Sequence, residues 1–305
     1  MGREEKQRDF STIQTTEDVA RLLAVSAPEI NHLLAGLAWH YQARPRRKPN
    51  GSVRILKVPN PQLRLLQRKI NDHILSRVPL LPCVKGGVRG SSPQMNAGIH
   101  KKQPVVVSMD LADFFPSVNV SMVRKAFQRL GLGEEAVGLL TRIATFENQL
   151  PQGAPTSTPL ANLVLEGLDR RIMGLQLRHG FNYSRWVDDL TFSGSPRLLK
   201  VRRLIERIVE DEGFHVNHEK TKVMFAGRRQ SVTKFTVNTK VNVARERVAA
   251  IKKELSSVAK DGAQPSPSTI GRLYWLRSVN DELGETLVKK LKAATPTTFA
   301  ACDPA

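Results

Sequence analysis

The chain has 305 residues, 40% of them hydrophobic, and its 47 Lys and Arg against 28 Asp and Glu give a formal net charge of +19 at pH 7. The length allows one large domain or two to three small ones, and the charge predicts a polyanionic partner, nucleic acid before an anionic membrane surface. No apolar run approaches the roughly 20 residues that span a bilayer. The absence of a secretory signal and the two distant cysteines, Cys83 and Cys302, lead us to expect a cytoplasmic protein without disulfides or a membrane partner.

The first third of the chain is predicted to hold short helices and one strand. A capping box at Ser26–Glu29 opens a helix whose apolar residues follow at helical spacing. Turn-forming residues then precede a strand over Val53–Val58, and a helix follows from about Gln62 to Leu75. The glycine-rich stretch Gly86–Ser92 lacks the P-loop pattern, so a phosphate cradle and a plain flexible turn both stay open.

The central part places strands and helices in an order typical of an α+β fold with an antiparallel sheet rather than of alternating βαβ units. Its predicted elements are, in order, a buried strand over Pro104–Met109 that ends in Asp110, a helix near Ser121–Leu130, one buried helix face at Leu160, Val164, Leu168 and Ile172, a hairpin within Phe181–Gly194, and an amphipathic helix from Leu198 to about Gly213.

The last third is predicted to be mixed and to end in a tail. β-like segments over Lys234–Val243 precede a helix over Glu246–Val258, and a Pro- and Ser-rich loop over Asp261–Ser268 leads into a final helical part. The composition of residues 294–305 predicts a disordered tail.

Positive charge is concentrated in two parts of the sequence. Residues 30–109 carry fourteen Lys and Arg against one acid, Asp72, and residues 227–254 carry eight against two. Such runs can be ordinary solvated surfaces. Because they flank a more acidic middle, we expect them to form two basic walls around a central site, each neutralising phosphates.

Three carboxylates are candidates for that central site. Asp110 ends a predicted buried strand, and Asp188 and Asp189 lie at the tip of the predicted hairpin. Antiparallel pairing of these elements would bring all three to one end of a sheet, where like charges need a compensating cation. Oxygen ligands without clustered His or Cys favour Mg²⁺ or Mn²⁺, and two such ions about 3.5–4 Å apart can assist an in-line phosphoryl displacement. An Asp-Asp pair alone is also common in solvated turns.

The chain carries an ordered set of short motifs, which are Asp110-Leu-Ala-Asp-Phe-Phe115, Leu150-Pro-Gln-Gly-Ala-Pro-Thr-Ser157, Trp186-Val-Asp-Asp189, Asn217-His-Glu-Lys-Thr-Lys222 and Asn96-Ala-Gly-Ile-His100. From about Arg54 to Asn280 this set resembles the bacterial retron-type reverse transcriptases, and the last motif resembles the element that marks the retron enzymes. The Asp-Asp pair follows Trp186-Val187 where the family usually has Tyr-Ala, and Val232-Thr-Lys234 replaces the usual Val-Thr-Gly.

The resemblance implies a right-hand polymerase architecture with fingers, a palm built on an antiparallel sheet, and a mainly helical thumb. On this basis residues 1–103 are expected to form N-terminal helices and fingers, and residues 104–230 the palm, with a fingers segment at about 118–150. Residues 231–293 are expected to form the thumb.

The resemblance also implies roles for individual residues. Asp110, Asp188 and Asp189 would be catalytic and hold metal, with a main-chain contact from Leu111. The resemblance also implies five nucleotide-binding residues. Phe115 would be a steric gate against a 2′-hydroxyl, or it packs in the core. Gln152 and Gly153 would line the nucleotide, or they form a tight turn. Arg54 would bind the triphosphate, or it is a solvated surface arginine. Lys220 would contact the leaving pyrophosphate, or it binds a backbone phosphate.

Contacts with RNA are expected at several further positions. His100 is interpreted first as a hydrogen-bonded structural residue that also touches RNA. The predicted RNA-binding residues are Asn96, His100, Lys234, Lys240 and Arg245.

The implied activity is RNA-directed DNA synthesis from deoxynucleotides with two Mg²⁺ ions, for which Mn²⁺ can substitute. The implied partners are a structured non-coding RNA that serves as template and primer, its DNA product, and an effector protein in phage defence. Two alternatives remain at this stage. One is another prokaryotic reverse transcriptase, either group II intron-like or diversity-generating, and the other is a catalytically silent RNA-binding scaffold.

Overall fold

The computed structural model describes residues 9–47, 51–261 and 265–294, so the predicted tail at 294–305 lies outside them except for Ala294. The helices are α1 Thr16–Leu23, α2 Ala27–Ala35, α3 Pro61–His73, α4 Pro93–Gly98, α5 Phe114–Ser117, α6 Val120–Gln128, α7 Glu134–Ala144, α8 Ser157–Val164, α9 Glu166–His179, α10 Leu198–Asp211, α11 Arg245–Asp261, α12 Pro267–Val279 and α13 Asp281–Ala294. The strands are β1 Tyr41–Arg47, β2 Val53–Pro59, β3 Val105–Leu111, β4 Asn182–Trp186, β5 Asp189–Gly194, β6 Val216–Phe225, β7 Ser231–Val232, β8 Phe235–Thr236 and β9 Asn242–Val243.

The N-terminal region packs short helices beside an exposed β-ribbon. The predicted capping box at the start of α2 is confirmed, because Ser26 and Glu29 exchange side-chain and backbone hydrogen bonds. Strands β1 and β2 pair antiparallel, from Tyr41 opposite Pro59 to Arg47 opposite Val53. Most side chains of this ribbon are exposed, so it forms a basic arm rather than part of the core.

The central sheet has the strand order β4-β5-β3-β6, and every neighbouring pair is antiparallel. Strand β3 lies inside the sheet with Val105, Val106 and Met109 fully buried. The amphipathic helices α6 to α10 contribute to the main hydrophobic core around it. The predicted hairpin, buried strand and antiparallel sheet are therefore confirmed.

The predicted continuous helix through Leu160 and Ile172 is wrong. The chain forms two helices, α8 and α9, which are separated at Leu165, where ψ is 3°. Leu160, Leu168 and Ile172 are fully buried and Val164 is partly buried, so the four-residue repeat correctly predicted three of its four buried positions. The repeat could not predict the break, because two successive helices that pack on one core produce the same spacing.

The C-terminal part has its own hydrophobic core. The small sheet β7-β8-β9 and the helices α11 to α13 share this core with Ala97 of α4 and Val106 of β3. The predicted β-like segment over 234–243 forms only two short strands, whereas the predicted helix over 246–258 is confirmed and extends over α11. No helix of the described residues combines the length and apolar character required to cross a bilayer.

Candidate active site

Strand pairing brings the three predicted carboxylates to one end of the central sheet. Asp110, near the end of β3, lies directly opposite Asp189, the first residue of β5. Asp188 lies in the two-residue turn between β4 and β5, and its carbonyl oxygen accepts a hydrogen bond of 3.1 Å from the amide of Leu111. The remaining turn residue, Val187, has a φ of +60°, which costs a β-branched side chain about 1–2 kcal/mol. A strained turn thus carries the Asp-Asp pair.

Burial and mutual repulsion perturb these carboxyl groups. Burial raises the pKa of Asp188, and the charge of Asp110 adds to this effect. Burial, followed by the charges of Asp188 and Asp110, raises the pKa of Asp189 to about 7. Burial is thus the first cause of both raised pKa values, and repulsion between the neighbouring carboxylates adds to it.

Lys220 supplies part of that charge from β6, the neighbouring strand. Its Nζ lies 2.7 Å from Oδ2 of Asp110, and this hydrogen bond raises the pKa of Lys220. The lysine side chain is 61% exposed, whereas that of Asp110 is 16% exposed. The ion pair therefore borders solvent, where other ions can compete with it.

The donor set fits a hard cation in its chemistry. Asp110 and Asp188 offer carboxylate oxygens, which are the ligands that Mg²⁺ and Mn²⁺ prefer. Across residues 9–47, 51–261 and 265–294, however, no three His, Cys, Asp or Glu side chains are arranged closely enough to hold a metal ion. The cation that contacts Asp110 in this structure is the ammonium group of Lys220.

A cavity of about 350 Å³ opens in front of the carboxylates. The exposed ribbon forms one wall, and Lys57 of β2 pairs at 2.8 Å with Glu147, which anchors the ribbon beside the cavity. Most of the predicted metal-binding and nucleotide-binding residues thus line this cavity. The predicted residues that line it are Arg54, Asp110, Leu111, Phe115, Gln152, Asp188 and Lys220.

Gly153 lies beside this cavity rather than in it. It lines a second pocket of about 420 Å³, and Phe115 lines both pockets, so the two are neighbours. Gly153 has a φ of +113°, a conformation that glycine adopts without steric cost. The backbone at Gly153 can therefore be approached closely from the second pocket.

The structure does not place Asn96 and His100 where RNA could touch them. Both side chains are fully buried. His100 lies 2.8 Å from the hydroxyl oxygens of Ser184 and Ser193, and burial lowers the pKa of His100 to about 3. The predicted RNA contact is therefore corrected for both residues, and His100 keeps the structural role of its first interpretation. The side-chain amide of the buried Asn96 has no hydrogen-bond partner among the described residues. For His100, sequence spacing could not distinguish the two roles, because both need a hydrogen-bonding side chain.

The other three predicted RNA-binding residues are exposed. Lys234 lies in the tight turn between β7 and β8. Lys240 and Arg245 line a basic pocket of about 570 Å³ with Arg228 and Arg229, at the beginning of α11. Their exposure and charge are compatible with phosphate contacts, and their role stays a prediction.

Two charged residues behind the hairpin were missed in the sequence. Arg185 of β4 and Asp169 of α9 are both fully buried and form an ion pair of 2.7 Å. An arginine within a short, otherwise buried strand is the one sequence signal that could have indicated such a pair, since a buried charge requires a partner.

Comparison with known proteins identifies the family. Residues 46–267 match the family model for reverse transcriptase (RNA-dependent DNA polymerase). The chain is 36% identical over 305 residues to the retron Mx65 reverse transcriptase of Myxococcus xanthus, covering 92% of this chain and 71% of that protein. It is 34% identical over 272 residues to the retron Mx162 reverse transcriptase of the same organism, covering 77% of this chain and 56% of that protein.

A solved structure supports the same fold. Telomerase from Candida albicans, in complex with the TWJ fragment of telomeric RNA, matches 86% of this chain and 56% of that chain with a TM-score of 0.52 and 11% sequence identity. At this identity the likeness concerns the fold alone. Together with the family match and the antiparallel sheet, it establishes a right-hand polymerase fold. The chain therefore belongs to the retron-type reverse transcriptases, which are RNA-directed DNA polymerases.

Proposed function

We propose that this protein copies a structured non-coding RNA into DNA and that the cavity in front of Asp110 is its polymerisation site. The observation that carries the proposal is the meeting of two carboxylates, Asp110 and Asp188, with the cations Arg54 and Lys220 in one cavity. Carboxylates and cations that converge in a concave site suit a phosphoryl-transfer reaction on an anionic substrate.

The carboxylates are the proposed metal ligands. Asp110 and Asp188 would hold the cation, with Asp189 beside them and the main chain of Leu111 close by. When bound, a pair of Mg²⁺ or Mn²⁺ ions would activate the attacking hydroxyl and stabilise the departing oxygen. The raised pKa values of Asp188 and Asp189 support a cation at this place, because a positive charge would favour their ionised forms.

The surrounding side chains are assigned to the incoming deoxynucleotide. The guanidinium group of Arg54 suits the triphosphate, since it can bind phosphate oxygens bidentately. Gln152 can hydrogen-bond the nucleotide, and the backbone at Gly153 permits close approach. Phe115, which lines both pockets, would exclude a 2′-hydroxyl by steric clash. The exposed Lys220 ammonium would leave Asp110 and donate a proton to the pyrophosphate.

The nucleic-acid partner is proposed from charge and family membership. The exposed cations Lys234, Lys240 and Arg245 would contact RNA phosphates. Membership of the retron type supports a structured RNA that acts as both template and primer, with a guanosine 2′-hydroxyl as the priming group. The same membership is the support for a role in phage defence with an effector protein.

Incorporation of labelled deoxynucleotides by the full chain, purified with its co-expressed RNA, tests the proposal. We expect incorporation with Mg²⁺, its loss with EDTA, and a decrease on the order of 10³-fold or more in the Asp188→Asn plus Asp189→Asn variant. Asp211→Asn is the matched control, because Asp211 lies on α10 in an exposed ion pair with Arg171. Phe115→Ala, assayed with ribonucleotides, should admit them.

Each possible result of these assays tests one assigned role. Incorporation that survives the double substitution would refute the metal assignment. Absence of incorporation by the wild type with its own RNA would refute polymerisation at this site. Unchanged sugar discrimination in Phe115→Ala would remove the steric role of that residue alone.

A further inference from the structure

A buried polar network lies directly behind the turn that carries Asp188 and Asp189. The fully buried guanidinium group of Arg185 contacts both carboxylate oxygens of Asp169, with Nε–Oδ1 at 2.9 Å and Nη2–Oδ2 at 2.7 Å. Burial opposes the charge of Arg185, but the charge and hydrogen bonds of Asp169 outweigh it, so the pKa of Arg185 is raised. The guanidinium group of Arg185 is therefore held in its charged form in the interior.

The same guanidinium group reaches from this pair to the turn. Its Nη1 donates to the carbonyl oxygen of Val187 at 3.0 Å and to Oδ1 of Asn162 at 2.8 Å. Val187 immediately precedes Asp188 and has the strained φ of +60°. A strained β-branched residue keeps its conformation only when surrounding contacts determine it. The bond from Arg185 is one such contact.

Gly86 packs closely against the same turn. Nδ2 of Asn162 donates to the carbonyl oxygen of Gly86 at 3.0 Å, and the amide of Gly86 donates to the carbonyl oxygen of Arg185 at 3.3 Å. A Cβ at position 86 would lie 2.4 Å from the amide nitrogen of Val187 and 2.8 Å from the carbonyl carbon of Trp186. Only glycine fits there, so the first residue of the glycine-rich stretch packs on the hairpin turn.

We propose that Arg185 is a positioning residue for polymerisation and that Gly86, which packs against the same turn, is its counterpart. Arg185 contacts the carbonyl oxygen of Val187 and Gly86 packs against its amide, so the two residues determine where the hairpin carboxylates lie relative to Asp110. The proposal rests on the proposed function for its effect on rate. A displacement of about 1 Å can lower the rate of a positioned reaction by about 100-fold.

Arg185→Lys tests the bond to the turn. Lysine keeps a positive charge opposite Asp169 but lacks the planar fork that binds several acceptors at once. Tyr183→Phe is the matched control, because the Tyr183 hydroxyl donates to Oδ1 of Asp169 at 2.7 Å and makes no hydrogen bond to the turn among the described residues. For Arg185→Lys we expect kcat for deoxynucleotide incorporation to fall about 100-fold with KM within about threefold, whereas Tyr183→Phe changes both less than about threefold.

Gly86→Ala tests the packing of Gly86 against the turn and leaves the Arg185–Asp169 pair in place. Its added Cβ must displace the backbone at Val187, so we expect a loss of kcat similar to that of Arg185→Lys. Gly174→Ala in α9 is the matched control, since a Cβ there meets nothing within 4 Å. Its kcat should stay within about threefold of the wild type.

Amide hydrogen exchange of the full chain provides a measurement that does not depend on activity. Exchange in the peptide that covers residues 186–189 should increase at least about tenfold in Arg185→Lys and Gly86→Ala relative to both controls. Unchanged exchange and kcat in these two variants would overturn the proposal. An equal loss of kcat in Tyr183→Phe and Arg185→Lys would overturn it as well, since it would indicate general destabilisation.

The two proposals fail in different ways. If the wild type incorporates no nucleotide, the proposed function is refuted, whereas hydrogen exchange still decides whether Arg185 and Gly86 hold the turn. If the wild type is active and Arg185→Lys has normal kcat and normal exchange, only the positioning role is refuted.

Discussion

Two ion pairs lie on opposite sides of the hairpin turn, and they differ in almost every physical respect. Behind the turn, Arg185 and Asp169 are both 0% exposed and bonded through two guanidinium nitrogens. In front of it, Lys220 and Asp110 make one contact, with the lysine side chain 61% exposed. The rear pair is isolated from competing ions, whereas water and salt screen the front pair.

The two ion pairs differ in how easily they can separate. A buried pair cannot lose one partner without leaving an uncompensated charge in the interior, so Arg185 and Asp169 remain together. The planar fork of arginine also contacts Asn162 and Val187. The exposed ammonium group of Lys220 can leave Asp110 at little cost. We therefore expect the rear pair to hold the turn in place and Lys220 of the front pair to leave Asp110 during the reaction.

The largest expected effect comes from breaking the rear pair. Asp169→Asn keeps the size of the side chain but leaves the buried Arg185 without a counter-charge, so we expect a loss of about 3–5 kcal/mol in the free energy of unfolding. The matched change in front, Asp110→Asn, should alter it by less than about 1 kcal/mol. Urea denaturation of both variants measures the difference, and equal losses would contradict the comparison.

The front of the site was predictable from the sequence, and the rear was not. The apolar run before Asp110 predicted a buried strand, and antiparallel pairing predicted its meeting with the hairpin acids. Arg185 was missed because its partners Asp169 and Asn162 lie 16 and 23 residues away, in helices. Neither partner differs in spacing from an exposed polar residue, so only the fold reveals the network.

The second expected effect concerns the front pair and is catalytic rather than structural. Loss of a proton donor at the leaving group lowers kcat by about 10²-fold or more, so Lys220→Ala should show this decrease. The melting temperature should stay nearly unchanged, because the Lys220–Asp110 pair is exposed. Lys200→Ala, at an exposed position of α10, is the control for loss of one positive charge.

Kinetics distinguish this role from simple phosphate binding. If Lys220 only binds backbone phosphate, the substitution should raise KM and weaken the dependence on salt while kcat stays normal. A decrease in melting temperature comparable to that of Asp169→Asn would show that the front pair, too, is structural.

The effect that is smallest at pH 8 tests whether charge is excluded from the buried contact between His100 and the hairpin strands. The two ring nitrogens of His100 share hydrogen bonds with the hydroxyl groups of Ser184 of β4 and Ser193 of β5, and burial lowers the pKa of His100 to about 3. The unfolded chain binds a proton at this residue near pH 6.5, whereas the folded protein does not. Stability that depends on His100 is therefore present above pH 6.5 and declines on acidification, by about 1.4 kcal/mol per pH unit down to about pH 3.

His100→Gln isolates this contribution. At pH 8 the variant should be less stable by about 1 kcal/mol or more, because glutamine does not reproduce both hydrogen bonds. Below pH 6.5 the wild type loses stability through His100 and the variant does not, so the two unfolding free energies should converge and then cross. Urea denaturation between pH 4 and pH 8 measures both curves. Parallel curves would mean that the folded protein accommodates a charged His100, and that burial against the hairpin strands does not exclude a change of charge.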